Sequence, residues 1–209
     1  MADPAPVVYV VDDDPDVLKA IERLLGSAGL TVAAFLSPKL FLESFDRTAP
    51  GCIVLDLALP GLTGLELQRA LEAQGSFLPI VFLTGRGDIA TSVQAMKHGA
   101  ADFLTKPVDD DALISAVLDA LARNQELRTI GVERNRIVEC LATLTARERE
   151  VLDRITAGRL NKQIAAELGT VEKTIKFHRA NLMRKLGVRT LADVVKLAER
   201  AGVGKTPAS

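Results

Sequence analysis

Cys52-Ile53-Val54-Leu55-Asp56-Leu57-Ala58-Leu59-Pro60-Gly61-Leu62-Thr63-Gly64 decides how the N-terminal half of this chain folds. An apolar run ends on a carboxylate, and a Pro-Gly pair then breaks the chain. The run reads as a buried parallel strand, because strands covered on both faces are continuously apolar. In an open parallel α/β sheet, ligands bind just beyond the C-terminal strand ends. That places Asp56 for chemistry. An Asp there is also a common turn or cap residue, so residues at the other strand ends have to decide.

Working outward, the same pattern recurs. Val7 to Val11 is an apolar run bounded by Asp12-Asp13-Asp14-Pro15, with Asp14 and Pro15 as the N-cap and first residue of a helix. Val17, Leu18, Ile21, Leu24, Leu25 and Ala28 then repeat at helical spacing as far as Gly29. Residues 31–35 form a second strand, and Ser37 caps a helix carrying Leu40, Phe41, Leu42 and Phe45. A helix over 63–73 follows the Asp56 strand, and Ile80 to Leu83 is a fourth strand ending at Thr84-Gly85. Asp88 is expected to cap a helix with Ile89, Val93 and Met96, stopped by Gly99. His98 lies near that helix end, where positive charge suits the dipole, and is given no chemical role. Residues 101–104 read as a short fifth strand, and 109 to about 127 as a long helix. Strands alternating with helices imply a doubly wound parallel sheet with right-handed crossovers.

That topology brings Asp12 and Asp13, Asp56, Thr84 and Lys106 to one edge of the sheet. Carboxylates so close together repel, and a hard divalent cation such as Mg²⁺, bound through oxygen, relieves the repulsion. A cation so held can bridge a carboxylate and a phosphoryl group, and a carboxylate can attack phosphorus to give an acyl phosphate. Lys106 would neutralise one phosphoryl oxygen and the Thr84 hydroxyl would hydrogen-bond another.

With 48% hydrophobic and 25% charged residues among 209, the chain has an ordinary globular composition and room for two small domains. No apolar run approaches the roughly 18 residues of a membrane span, and the N-terminus lacks a signal-peptide pattern. Cys52 and Cys140 make neither a disulfide framework nor a metal-ligand spacing, so a reducing cytoplasmic setting with no membrane partner is expected. The net charge of −1 hides an asymmetry. Residues 1–122 hold 8 Lys and Arg against 17 Asp and Glu, whereas 123–209 hold 18 against 10. One half suits a cation and the other a polyanion.

Between the halves, Leu127, Ile130, Arg134, Ile137, Leu141 and Leu144 step by three and four in alternation, a heptad seam with one polar position. Two readings stand: the seam pairs as a coiled coil, or it is a surface helix packed on its own domain. Beyond it, Thr145 and Glu148 form a capping box ahead of Val151, Leu152 and Ile155. Asn161 is expected to cap a helix carrying Ile164, Ala165 and Leu168. A third helix covers about 171–186, and Thr190 opens a fourth with Val194, Val195 and Ala198. Two short helices joined near a glycine are a helix-turn-helix candidate. On the third helix, Val171, Ile175, His178, Leu182 and Leu186 should turn inward. Lys173, Lys176, Phe177, Ala180 and Arg184 share the outer face. Cations there suit phosphates and guanine edges, and apolar atoms suit thymine methyls.

Asp12-Asp13, Asp56 with Pro60-Gly61, Thr84-Gly85 and Lys106-Pro107 together resemble the receiver domain of bacterial two-component response regulators, over residues 1–122. The stretches 82–88 and 95–100 are similar to the FixJ branch, with Leu59 where a Met is usual. The resemblance implies a flavodoxin-like, five-stranded α/β receiver in which Asp56 is the phospho-acceptor. Asp12, Asp13, Asp56 and the Ala58 carbonyl would surround Mg²⁺, Thr84 and Phe103 would form the switch, and the bond before Pro107 would be cis. A phosphatase of the dehalogenase type needs a second acid two residues after its nucleophile, and here that position is Ala58. A turnover enzyme is therefore disfavoured.

The stretches 144–151, 161–165 and 173–179 resemble the all-α, four-helix LuxR-type DNA-binding domain of the FixJ/NarL response regulators. It is assigned to 144–209, with 123–143 as helical linker. By position, Lys176, Phe177 and Ala180 fall where that family contacts bases. Asn161, Lys162, Thr174 and Arg179 fall at backbone contacts, Lys173 joins them on the basic face, and the fourth helix falls at the family's dimer contact. Val171 stands where a Ser cap is common, so Thr170 is an alternative cap. The resemblance implies that a sensor histidine kinase phosphorylates Asp56, after which a homodimer binds promoter DNA, with RNA polymerase a further candidate partner. The alternative is a phosphorylation-independent receiver acting by protein contact or by constitutive DNA binding.

Overall fold

The computed structural model describes residues 4–46, 49–76, 78–85 and 99–201. The chain divides into two compact units after Arg128. The first contains β1 (Val7–Val11), α1 (Pro15–Ser27), β2 (Thr31–Phe35), α2 (Pro38–Ser44), β3 (Gly51–Asp56), α3 (Gly64–Ala73), β4 (Ile80–Thr84) and β5 (Asp102–Thr105), and α4 (Asp110–Ala142) starts within it. All strands are parallel, in the order β2-β1-β3-β4-β5. This is the expected doubly wound sheet, with β5 one residue later than the sequence suggested. The helix expected from Asp88 with Ile89, Val93 and Met96, and His98 with it, lies outside the described residues.

β3 explains why its sequence is apolar without alternation. Ile53 and Leu55 pack on one face with Tyr9, Phe41, Leu67 and Phe82. Cys52 and Val54 pack on the other with Leu18, Ile21, Leu25, Leu113 and Val117. Burial pushes the Cys52 thiol up to about 12, so it serves as a small core residue rather than a nucleophile. α1 starts as its sequence directs: Asp14 Oδ1 accepts from Asp16 N at 2.8 Å and Val17 N at 3.4 Å, and Pro15 is the first helical residue.

α4 does not stop near residue 127 but runs on to Ala142. Gly131 lies inside it, since a lone glycine costs a helix only about 1 kcal/mol relative to alanine. In the second unit, the end of α4 packs with α5 (Ala146–Thr156), α6 (Asn161–Glu167), α7 (Glu172–Leu186) and α8 (Leu191–Arg200). Ile137, Leu141 and Leu144 are core residues there, alongside Val151, Leu152, Ile164, Ile175, Leu182 and Val194. Leu127 and Ile130 stay exposed. The heptad seam is thus split, and its second half is already buried within the unit.

The N-cap of α6 is Leu160 rather than Asn161, which corrects that expectation. The N-cap of α7 is Val171, the position where a Ser cap is common, and not the alternative Thr170. Val171, expected inward, is exposed: it has extended backbone, φ −96° and ψ 152°, so helical periodicity does not apply to it. No helix among the described residues is long and apolar enough to cross a membrane.

Candidate functional site

The chain passes from β1 out to β2 and then back across to β3, so the strand order reverses between β1 and β3. A crevice opens at such a switch point, beyond the carboxyl ends of the two strands. Asp12 follows β1 and Asp56 ends β3, with only 1% and 5% of their surfaces exposed. Asp13 beside them is exposed, and one carboxylate oxygen from each of the three lies within 4.8 Å of the others. Lys106, just past β5, reaches into the group. Its Nζ lies 2.6 Å from Asp12 Oδ2 and 3.0 Å from Asp56 Oδ1. Burial pulls the ammonium pKa down, but hydrogen bonds and charge from Asp12 and Asp56 outweigh it, leaving Lys106 above the ordinary lysine value.

Each buried carboxylate is also oriented by backbone. Asp14 N donates to Asp12 Oδ1 at 2.9 Å, and Ala58 N donates to Asp56 Oδ2 at 3.2 Å. Lys106 N donates to the Thr84 carbonyl at 2.6 Å, tying the ends of β4 and β5, and the Lys106–Pro107 bond is cis. Thr84 is buried, with its hydroxyl donating to the Gly85 carbonyl at 2.9 Å. Phe103 is half-buried, its ring 6.1 Å from that of Phe82. Three close carboxylates form a hard oxygen donor set, which fits Mg²⁺ and not a soft metal.

Two supports of this site escaped the sequence reading. Gly64 opens α3 directly against the end of β3. A Cβ there would lie 2.7 Å from the Asp56 carbonyl oxygen and 3.1 Å from Phe82 Cε1, so only glycine permits the approach. A glycine in a first helical turn, behind the Thr63–Glu66 capping box, was its available signal. At the other end of β3, the buried Asn124 side chain accepts from Gly51 N at 3.1 Å. Separated by 73 residues, that pair leaves no local trace.

In the second unit, Lys173, Lys176, Phe177, Ala180 and Arg184 are exposed on α7 as expected, Phe177 at 62%. Lys162 is exposed, and Thr174 and His178 are half-buried. Asn161 and Arg179 meet: Arg179 Nη1 donates to Asn161 Oδ1, joining α6 to α7. Lys176 Nζ pairs with Glu172 Oε1 at 3.3 Å. The other end of α7 is anchored where Lys185 Nζ reaches buried Glu148 Oε2 at 2.7 Å and the Thr143 carbonyl at 3.1 Å. Burial raises the Glu148 pKa, but the hydrogen bonds from Lys185 and Thr145 prevail and hold it below the ordinary carboxylate value.

Each half of the chain matches a known protein family. Residues 8–118 match the response regulator receiver domain family, and residues 142–198 match the bacterial regulatory proteins of the luxR family. The chain is 42% identical to the response regulator protein TodT of Pseudomonas putida over 200 residues, 96% of this chain and 88% of that one. It is 41% identical to the transcriptional regulatory protein FixJ of Azorhizobium caulinodans over 196 residues, 94% of this chain and 93% of that one. Among solved structures, the response regulator StyR superposes with a TM-score of 0.82 at 44% identity, covering 94% of this chain and all 100% of that one. Full-length FixJ from B. japonicum does so with a TM-score of 0.58 at 38% identity, covering 94% and 97%.

Proposed function

Because this chain belongs to the response regulators that join a receiver to a LuxR-type DNA-binding domain, we propose that phosphorylation of Asp56 is what switches its control of transcription. One observation carries this reading. Asp56 is a nearly buried carboxylate, held by a backbone N–H on one oxygen and by Lys106 on the other, beside Asp12 and Asp13. An Asp56 oxygen attacks the phosphorus of a phosphohistidine on a sensor kinase, the P–N bond breaks, and an acyl phosphate forms. Asp12, Asp13, Asp56 and the Ala58 carbonyl would hold Mg²⁺, which supplies positive charge where phosphoryl oxygens gather. Lys106 then pairs with one phosphoryl oxygen and the Thr84 hydroxyl, turned from the Gly85 carbonyl, donates to another. That turn leaves room for the Phe103 ring to move inward, which biases the surface of β5 toward self-association.

The phosphorylated receiver, residues 1–122, would dimerise and deliver paired DNA-binding domains to promoter DNA, with RNA polymerase as a further partner. The domain boundary at 144 is best read with the end of the 123–143 linker counted in the DNA-binding unit, since Ile137 and Leu141 lie in its core. Asn161, Lys162, Lys173, Thr174 and Arg179 would hold phosphates, while Lys176, Phe177 and Ala180 face base edges.

The test uses a small acyl phosphate as donor. Wild-type protein should label and dimerise with Mg²⁺ present, Asp56→Asn should not label, and Thr84→Ala should label but dimerise poorly. Undiminished labelling of Asp56→Asn, or labelling in excess chelator, would refute the assignment, and a wild type that takes no label would favour a receiver that acts without phosphate.

A further inference from the structure

The outer face of α7 carries Lys173, Lys176 and Arg184 with Phe177 and Ala180 among them, and one acidic residue flanks it. Glu172, the only acidic side chain of α7, stands in its first turn with 47% of its side chain exposed. It lies one turn before Lys176, whose Nζ is 3.3 Å from Glu172 Oε1 and whose side chain is 66% exposed. On a surface that meets phosphates, a carboxylate repels the ligand. The pair contributes little to stability, because exposed i,i+4 ion pairs are weak. A first-turn glutamate does complement the helix dipole, but that purpose does not require a lysine of the exposed face, Lys176, one turn away as its partner.

A carboxylate has a specific use in the major groove, which is to accept from the N4 amine of cytosine. The guanine opposite presents O6 and N7 acceptors beside it, matching a lysine. We propose that Glu172 and Lys176 act as a unit that reads one C·G base pair, Glu172 accepting from cytosine N4 and Lys176 donating to the guanine edge. This rests on the assignment of α7 as the helix that faces base edges. The salt bridge keeps the two side chains close together before DNA arrives, so part of the arrangement that reads the base pair is already present. It also gives Glu172 a charge partner that offsets its repulsion by the backbone.

The experiment selects from a library of randomised duplexes with the full-length protein, phosphorylated by a small acyl phosphate, and compares Glu172→Ala and Glu172→Gln. Wild type should select a motif containing an invariant C. Glu172→Ala should lose preference at that position by roughly tenfold and keep the others. Glu172→Gln should shift it from C toward A, because a carboxamide matches adenine N6 and N7. If both variants select the wild-type motif and bind every duplex more tightly by the same factor, the carboxylate only repels phosphate and the proposal fails. If wild type selects no motif, the assignment of α7 to base edges fails first. Both variants lose the same first-turn charge, so they should melt alike and slightly below wild type, and a helix-end role alone would leave both with the wild-type base preference.

Discussion

Leu141→Ala asks whether the end of α4 belongs to the DNA-binding unit or waits for a partner helix. Leu141 is 7% exposed within the second core, and its carbonyl accepts from Arg149 Nη2 at 3.0 Å. Truncation removes three carbons from an apolar site, about 2.4 kcal/mol of transfer free energy at ~0.8 per group. The residual cavity adds to this, and buried Leu→Ala changes cost roughly 2–5 kcal/mol. Leu141 lies where α4 ends, so its neighbours can partly close the space, and about 3 kcal/mol is the expected loss. For a unit of roughly 80 residues, that lowers Tm by roughly 12–24 °C. Ile130→Ala, at a side chain 55% exposed, should stay within about 0.5 kcal/mol. The assay is thermal and urea unfolding followed by circular dichroism at two protein concentrations, with sedimentation of the phosphorylated form. The reasoning is refuted if Leu141→Ala unfolds like wild type when dilute and loses only the phosphorylated dimer, because the residue would then belong to a seam between chains.

Phe177→Ala should cost on the order of 1–3 kcal/mol on the preferred duplex and relax one base position, without lowering Tm. A fall in Tm with unchanged affinity would return that ring to the core. Lys162→Ala should instead weaken all duplexes alike and reduce the salt slope by about one. The Glu148 contribution to stability is complete above its ordinary value of 4.5 and is lost as pH falls through the lower value it has in the fold. Between neutral pH and pH 3, the urea midpoint of wild type should therefore fall further than that of Glu148→Gln. Parallel falls would mean that the Lys185 bond does not hold its proton equilibrium.

What the sequence could reveal was whatever depends on a single segment. The β3 run, the carboxylate that ends it, the Asp14–Pro15 start of α1 and the Thr145–Glu148 box all lie within a few residues and were legible. The fate of the heptad seam was not. Leu127, Ile130, Ile137 and Leu141 share one period, and which of them are covered depends on what stands opposite. The cap of α6 is one residue earlier than Asn161, and Thr170 does not cap α7, because a cap is defined by backbone state, which those residues suggest but do not impose. Within the site, the positions of Asp12, Asp56 and Lys106 were legible from strand ends. The grip of Lys106 on both carboxylates was not, nor were the Asn161–Arg179 and Glu148–Lys185 pairs, because each joins distant elements.

Lys106 has a consequence in formal charge. Asp12, Asp13 and Asp56 count three negatives, and the ammonium lodged between two of them counts one positive. Two uncompensated negatives remain, the amount that one divalent cation cancels. Without Lys106 a single such ion would leave the pocket anionic, and an incoming phosphoryl group would meet a like charge. With it, a pocket loaded with one such ion would be neutral and would offer that group no repulsion. Converting the Asp56 carboxylate to an acyl phosphate dianion, as proposed, would then add about one negative charge. Under the proposed phosphorylation, the signal would be the return of a single charge to a balanced pocket, beside the Lys106 N–H to Thr84 carbonyl bond that ties the ends of β4 and β5.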